Sequence, residues 1–146
     1  MTSDSSSPGP GDPVAALNQV LSEVLDVVQE TKQAHRKVPE NHELHDELDE
    51  LFDDLRSWAQ RLMVEDEALG TSPLGRMPSV AGRTPPNLWP GDPSDEDVRR
   101  TLAEHLEWLR GHVAVAREEQ LDGGARTALF DVERGIVHHL EELRLG

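Results

Sequence analysis

GTSPLGRMPSVAGRTPPNLWPGDP, residues 70–93, lies between two halves of the chain, and its reading decides how they are joined. Its six prolines deny it a helix or a central strand, so it is a connection. On either side of it apolar residues recur at helical spacing. Val14, Leu17, Leu21, Val24 and Val28 predict a first helix from about Pro13 to about Arg36, with proline in the first turn, where its missing N–H costs nothing. Leu44, Leu48, Leu51, Leu55, Trp58 and Leu62 predict a second from about Asn41 to Leu69, stopped by Gly70. Ser94 caps a third, which has acids in its first turn. Val98, Leu102, Leu106, Leu109 and Val113 form its inner face, and LDGG at 121–124 breaks it. Leu129, Val132, Ile136, Leu140 and Leu143 line a fourth. The short connections around Pro39 and LDGG make the first and last helix pairs antiparallel. The second helix is roughly 43 Å long at 1.5 Å per residue. A stretched segment of the length of 70–93 reaches about 80 Å. It can therefore climb the bundle and start the third helix parallel to the second. A plain up-and-down bundle with a loose middle loop is the alternative.

The composition fits one domain with one core. Residues 1–12, MTSDSSSPGPGD, hold almost nothing to pack and are expected to be a disordered tail, with the bundle over 13–146. Apolar residues make up 36% and aromatics 3%, lean enough that subunits are expected to share buried surface. Without cysteine the chain has no disulfide, thiolate nucleophile or cysteine-bound zinc. No run approaches the ~18 apolar residues of a membrane span, and no apolar signal segment is seen, so a soluble, cytoplasmic protein is expected. Fourteen basic against 29 acidic residues give −15. That surface repels phosphates and attracts cations, the wrong sign for nucleic acid. The first basic residue is Lys32, so the N-terminal arm offers no cationic tail.

The cations have an obvious candidate seat. HRKVPENHELHDELDELFDD, residues 35–54, sets three histidines in a run of carboxylates. His45 and Asp49 are four apart, on one helix face, where an imidazole and a carboxylate can share a dication. The competing reading is a solvated acidic face. HELH at 42–45 is one residue short of the H-E-x-x-H zinc helix. No histidine has Glu or Asp three residues before it, so the E-x-x-H pairs that hold two irons inside one bundle are missing. His112, His138 and His139 read as solvated or interface histidines. Gly-rich nucleotide loops are missing, and no catalytic triad can be argued, so no catalytic residue is assigned.

The order KQAHRKV at 32–38, LHDELD at 44–49, ALGTSPLG at 68–75 and RGIVHHLEELR at 134–144 resembles the Dps (DNA protection during starvation) mini-ferritins. The crossover segment resembles that of actinobacterial members. The resemblance covers about residues 14–144 and implies an all-α, ferritin-like four-helix bundle with a long crossover between helices 2 and 3. It also implies a twelve-subunit hollow shell that takes up Fe(II), oxidises it with peroxide or oxygen, and stores ferric mineral. In that family each oxidation site lies between two subunits. One supplies a first-helix His and the L-H-x-x-x-D pair; the other supplies an Asp and a Glu from later in its second helix. Carried over by position, His35, His45 and Asp49 are the first half. The Asp and Glu positions, fifteen and nineteen residues beyond His45, hold Gln60 and Val64. Valine cannot bind metal, and a neutral glutamine is a poor ligand for iron. Sliding the register to reach Glu65 would turn the helix by ~100° and misplace its apolar stripe.

The resemblance thus implies an iron-binding, iron-storing and stress-protecting shell subunit with an incomplete ferroxidase site. It would be a homo-oligomer, or would mix with an active paralogue whose carboxylates complete the site. A non-catalytic ferritin-fold protein kept for assembly or partner binding is the alternative. DNA binding is not expected, because the tail is acidic.

Overall fold

The computed structural model describes residues 13–69, 86–119 and 123–146. Four helices carry the apolar stripes: α1 (Pro13–Lys37), α2 (Glu43–Ala68), α3 (Asp95–Arg117) and α4 (Gly123–Leu145). Each buries one face because its leucines and valines repeat every three to four residues. All the predicted stripe residues are buried except Val14 and Trp58, which are partly exposed. Val20 and Val27 widen the buried face of α1. The hydroxyl of Ser94 accepts from the Asp97 amide at 3.0 Å, capping α3. The expected tail over 1–12, the stop at Gly70 and most of the crossover fall outside the described residues, as does the first half of LDGG, whose two glycines open α4.

Cross-helix pairs fix the directions. Glu30 meets His105 and Glu23 meets His112, so α1 and α3 run antiparallel. Asp54 meets His139 and Arg61 meets Asp131, so α2 and α4 do too. His42 pairs with Asp95, and Glu47 with Arg99, so α2 and α3 start at the same end and run parallel. α1 packs on α2 and α3, and α4 packs on the same two helices, which leaves α2 and α3 on a diagonal. The end of α2 and the start of α3 therefore lie at opposite ends of the bundle, and the up-and-down alternative is excluded. This is the ferritin-like topology.

The end of the crossover is strapped to α1. Gln33 donates to the Pro86 carbonyl at 2.8 Å and accepts from the Leu88 amide at 3.3 Å. Lys37 donates to the Gly91 carbonyl at 2.9 Å, and Trp89 is buried in the core. Gly91 has φ of +78°, a left-handed conformation that glycine adopts without strain.

A guanidinium clamp closes the same end. Arg99 reaches both carboxylate oxygens of Glu47, at 3.0 and 2.8 Å, and the carbonyls of Glu142 and Leu143 at 3.2 and 3.4 Å. One side chain thereby ties the start of α2 and α3 to the last turn of α4. The planar fork suits this two-sided task better than an ammonium would.

Candidate metal centre

His35 stands in the last turn of α1, where positive or polar residues suit the negative end of the helix dipole. The chain turns at once. The Val38 amide still bonds to the Ala34 carbonyl at 3.2 Å, and the buried Val38 side chain anchors the corner. The His42 amide then bonds to the Pro39 carbonyl at 3.0 Å, and α2 begins at Glu43. Proline has no N–H for the helix to lose, and its fixed φ shapes the corner. The corner lays the last turn of α1 against the first two turns of α2.

That geometry brings His35, His45 and Asp49 together. The two imidazole rings lie 4.0 Å apart between centroids. His35 Nε2 is 2.7 Å from one Asp49 oxygen, and His45 Nδ1 is 3.8 Å from the other. One ligand atom from each lies within 4.8 Å of the others. His35 Nε2 is closed to solvent and, although near Asp49, is not aligned for a hydrogen bond with it. A buried ring nitrogen without an aligned partner fits a metal ligand: its lone pair has no proton to accept. Two neutral imidazoles and one carboxylate suit a divalent transition ion. Both histidines are half-buried and Asp49 is exposed, so the remaining coordination positions face solvent.

Arg36, next to His35, lies on the exposed side of α1, and Lys37 is held away on the crossover strap. Gln60 and Val64 are far down α2, about 22 and 28 Å from His45 along the axis at 1.5 Å per residue. Both are exposed, Val64 at 62%. Neither can reach its own chain's His45.

Of the histidines expected to be solvated or at an interface, His138 is exposed, while His112 and His139, like His105, pair with a carboxylate of another helix. His105 sits 2.6 Å from Glu30, and that hydrogen bond holds its imidazole above its ordinary pKa against the opposing effect of burial. His112 bonds to Glu23. His139 is buried at 2% exposure, bonded to Asp54 at 2.7 Å and edge-on to Trp58. Each of these pairs joins two helices. Sequence spacing gives no warning of them, since the partners lie far apart in the chain.

No protein-family model matches the chain, and no curated protein matches it. Among solved structures it is similar to Dps from Microbacterium arborescens in its high-iron form. The match covers 94% of this chain and 95% of that one, with a TM-score of 0.73 at 20% identity. The chain therefore has the Dps fold, a four-helix bundle with a long connection between α2 and α3.

Proposed function

We propose that the chain is a Dps-like shell subunit that binds and stores iron as cargo, protects against oxidative stress, and furnishes only half of a ferroxidase site. The observation that carries this reading is the convergence of His35, His45 and Asp49 in a fold shared with a protein characterised in a high-iron form. The acidic surface supports it, since −15 per chain concentrates cations around that group. In this reading His35 and His45 bind Fe(II) through ring nitrogens, and Asp49 supplies the charge-balancing oxygen. The assembly is a homo-oligomer, a dodecamer, in the cytoplasm. No nucleic-acid partner is included, because the net charge has the wrong sign.

Electron counting limits the oxidation. Peroxide takes two electrons to become two waters, and each Fe(II) yields one. A pair of ions must then sit at one oxidant, and three ligands from one chain hold a single ion. By resemblance the second ion's carboxylates belong at positions 60 and 64, where the chain has Gln60 and Val64. Iron uptake without rapid oxidation follows.

A second reading is a non-catalytic subunit, kept for assembly or for mixing with an active paralogue. Val64 favours it: an exposed apolar side chain occupies a position that the resemblance gives to a ligand. Aerobic Fe(II) addition, followed by ferric absorbance, separates the two. The first reading expects slow oxidation above the protein-free control, lost in the His45→Ala/Asp49→Ala variant. Oxidation equal to the control supports the second. Native mass tests the assembly: a shell gives about twelve times the 16.2 kDa subunit, and a monomer or dimer removes the shell from the proposal.

A further inference from the structure

We propose that His138, His139 and Glu142 on α4, buttressed by Asp54 of α2, form a second site for a divalent transition-metal ion. The two imidazoles converge on one carboxylate oxygen. His138 Nε2 lies 3.5 Å and His139 Nδ1 3.6 Å from Glu142 Oε1. Ligand atoms around a tetrahedral ion, each about 2.0–2.2 Å from it, are about 3.4 Å apart. The observed separations are those of ligands awaiting an ion between them. Ordinary hydrogen bonds would be shorter.

His139 Nε2 is 2.7 Å from Asp54 Oδ2, and a carboxylate only accepts, so Nε2 carries the proton. In the neutral ring Nδ1 is then the lone-pair nitrogen, and it faces Glu142. Glu142 Oε1 is itself closed to solvent and has no hydrogen-bond partner. Two acceptors facing each other away from water repel unless a cation lies between them. A carboxylate fixing the tautomer of a histidine whose other nitrogen binds metal is the usual support for such a ligand.

Two nitrogens and one oxygen select the zinc, cobalt and ferrous class over calcium or magnesium, which take oxygen ligands. His138 is exposed, so the fourth position opens to water and the ion has a way in. The site is separate from the first group. Asp54 comes nine residues after His45, which is half a turn round α2 and about 14 Å along it.

The test uses the full-length chain carrying His45→Ala/Asp49→Ala, so that the first group does not contribute. Co(II) is titrated into chelator-treated protein, and its visible ligand-field bands report nitrogen ligation at low coordination number. The parent should bind Co(II) with such bands and release it to Zn(II). His138→Ala and Glu142→Gln, both away from the core, should each weaken binding about tenfold or more. Asp54→Asn should weaken it by roughly 10–100-fold, the usual cost of removing a histidine's supporting carboxylate. Circular dichroism checks that the fold is unchanged. Identical titrations and spectra for the parent, His138→Ala and Glu142→Gln would overturn the proposal and leave the cluster as a polar contact between α2 and α4.

Discussion

Replacing Arg99 by methionine should cost the fold about 3 kcal/mol, a value set by what the guanidinium leaves behind. The Arg99 and Glu47 side chains are only 11% and 13% exposed, so water cannot replace the lost partner. Arg99→Met leaves the Glu47 carboxylate desolvated and uncompensated, and frees the carbonyls of Glu142 and Leu143. Breaking a fully buried pair costs roughly 3–5 kcal/mol, and the residual exposure argues for the lower end. Glu47→Gln should cost less, about 1–2 kcal/mol, because Arg99 keeps both carbonyls. The double variant should fall short of the summed losses by about 2 kcal/mol, since the second change removes a group the first had already stranded. The assay is urea denaturation followed by circular dichroism at fixed protein concentration, because assembly would shift the midpoint. Single losses below about 0.5 kcal/mol, with strict additivity, would show that Arg99 and Glu47 behave as a solvated surface pair, and the clamp would be refuted.

Three further outcomes follow from the geometry. A Cβ on Gly135 would overlap the Trp58 ring, so Gly135→Ala should force α2 and α4 apart, cost about 1–3 kcal/mol in denaturation and alter the tryptophan fluorescence. The folded-state pKa of His105 is raised by its bond to Glu30, with Glu104 adding to the effect. Its contribution is then complete below about pH 6.5 and fades as pH rises through the higher folded value. Removing it with His105→Gln should flatten that part of the pH–stability curve, by at most about 1 kcal/mol for a pair this exposed. If Gln60 and Val64 stand where the missing ligands belong, Gln60→Asp with Val64→Glu should raise the aerobic Fe(II) oxidation rate about tenfold or more, and a further His45→Ala should remove the gain. No gain in correctly assembled protein would argue that those positions do not face a partner's half-site.

Much of the fold was legible because it rests on local signals. The 3.6-residue repeat placed all four helices, Pro13 and Ser94 marked their starts, and the length of 70–93 pointed to the crossover. α2 begins two residues later than expected because Pro39–His42 form the corner. The grouping of His35, His45 and Asp49 was legible through the i, i+4 spacing of His45 and Asp49 and through the resemblance that supplied His35. For His139 the sequence left open whether it is solvated or at an interface. Its burial depends on Asp54 and Trp58 from another helix, and the exposed His138 and Glu141 close to it in sequence suggest a wet face. Trp89 and Gln33 were passed over for the same reason. Their roles arise where the crossover returns to α1, a contact between residues more than fifty positions apart. Periodicity reports which face of a helix is buried, and it is silent about which polar partners meet across the interface.

The most direct test of the account is Fe(II) binding under strict anaerobiosis, measured in the chain and in its His45→Ala/Asp49→Ala variant. The account predicts that the variant binds one equivalent fewer per chain, with the helical content unchanged. Equal stoichiometry and affinity in the two proteins would contradict it, because His35, His45 and Asp49 would then be an ion-paired corner of the bundle and hold no metal.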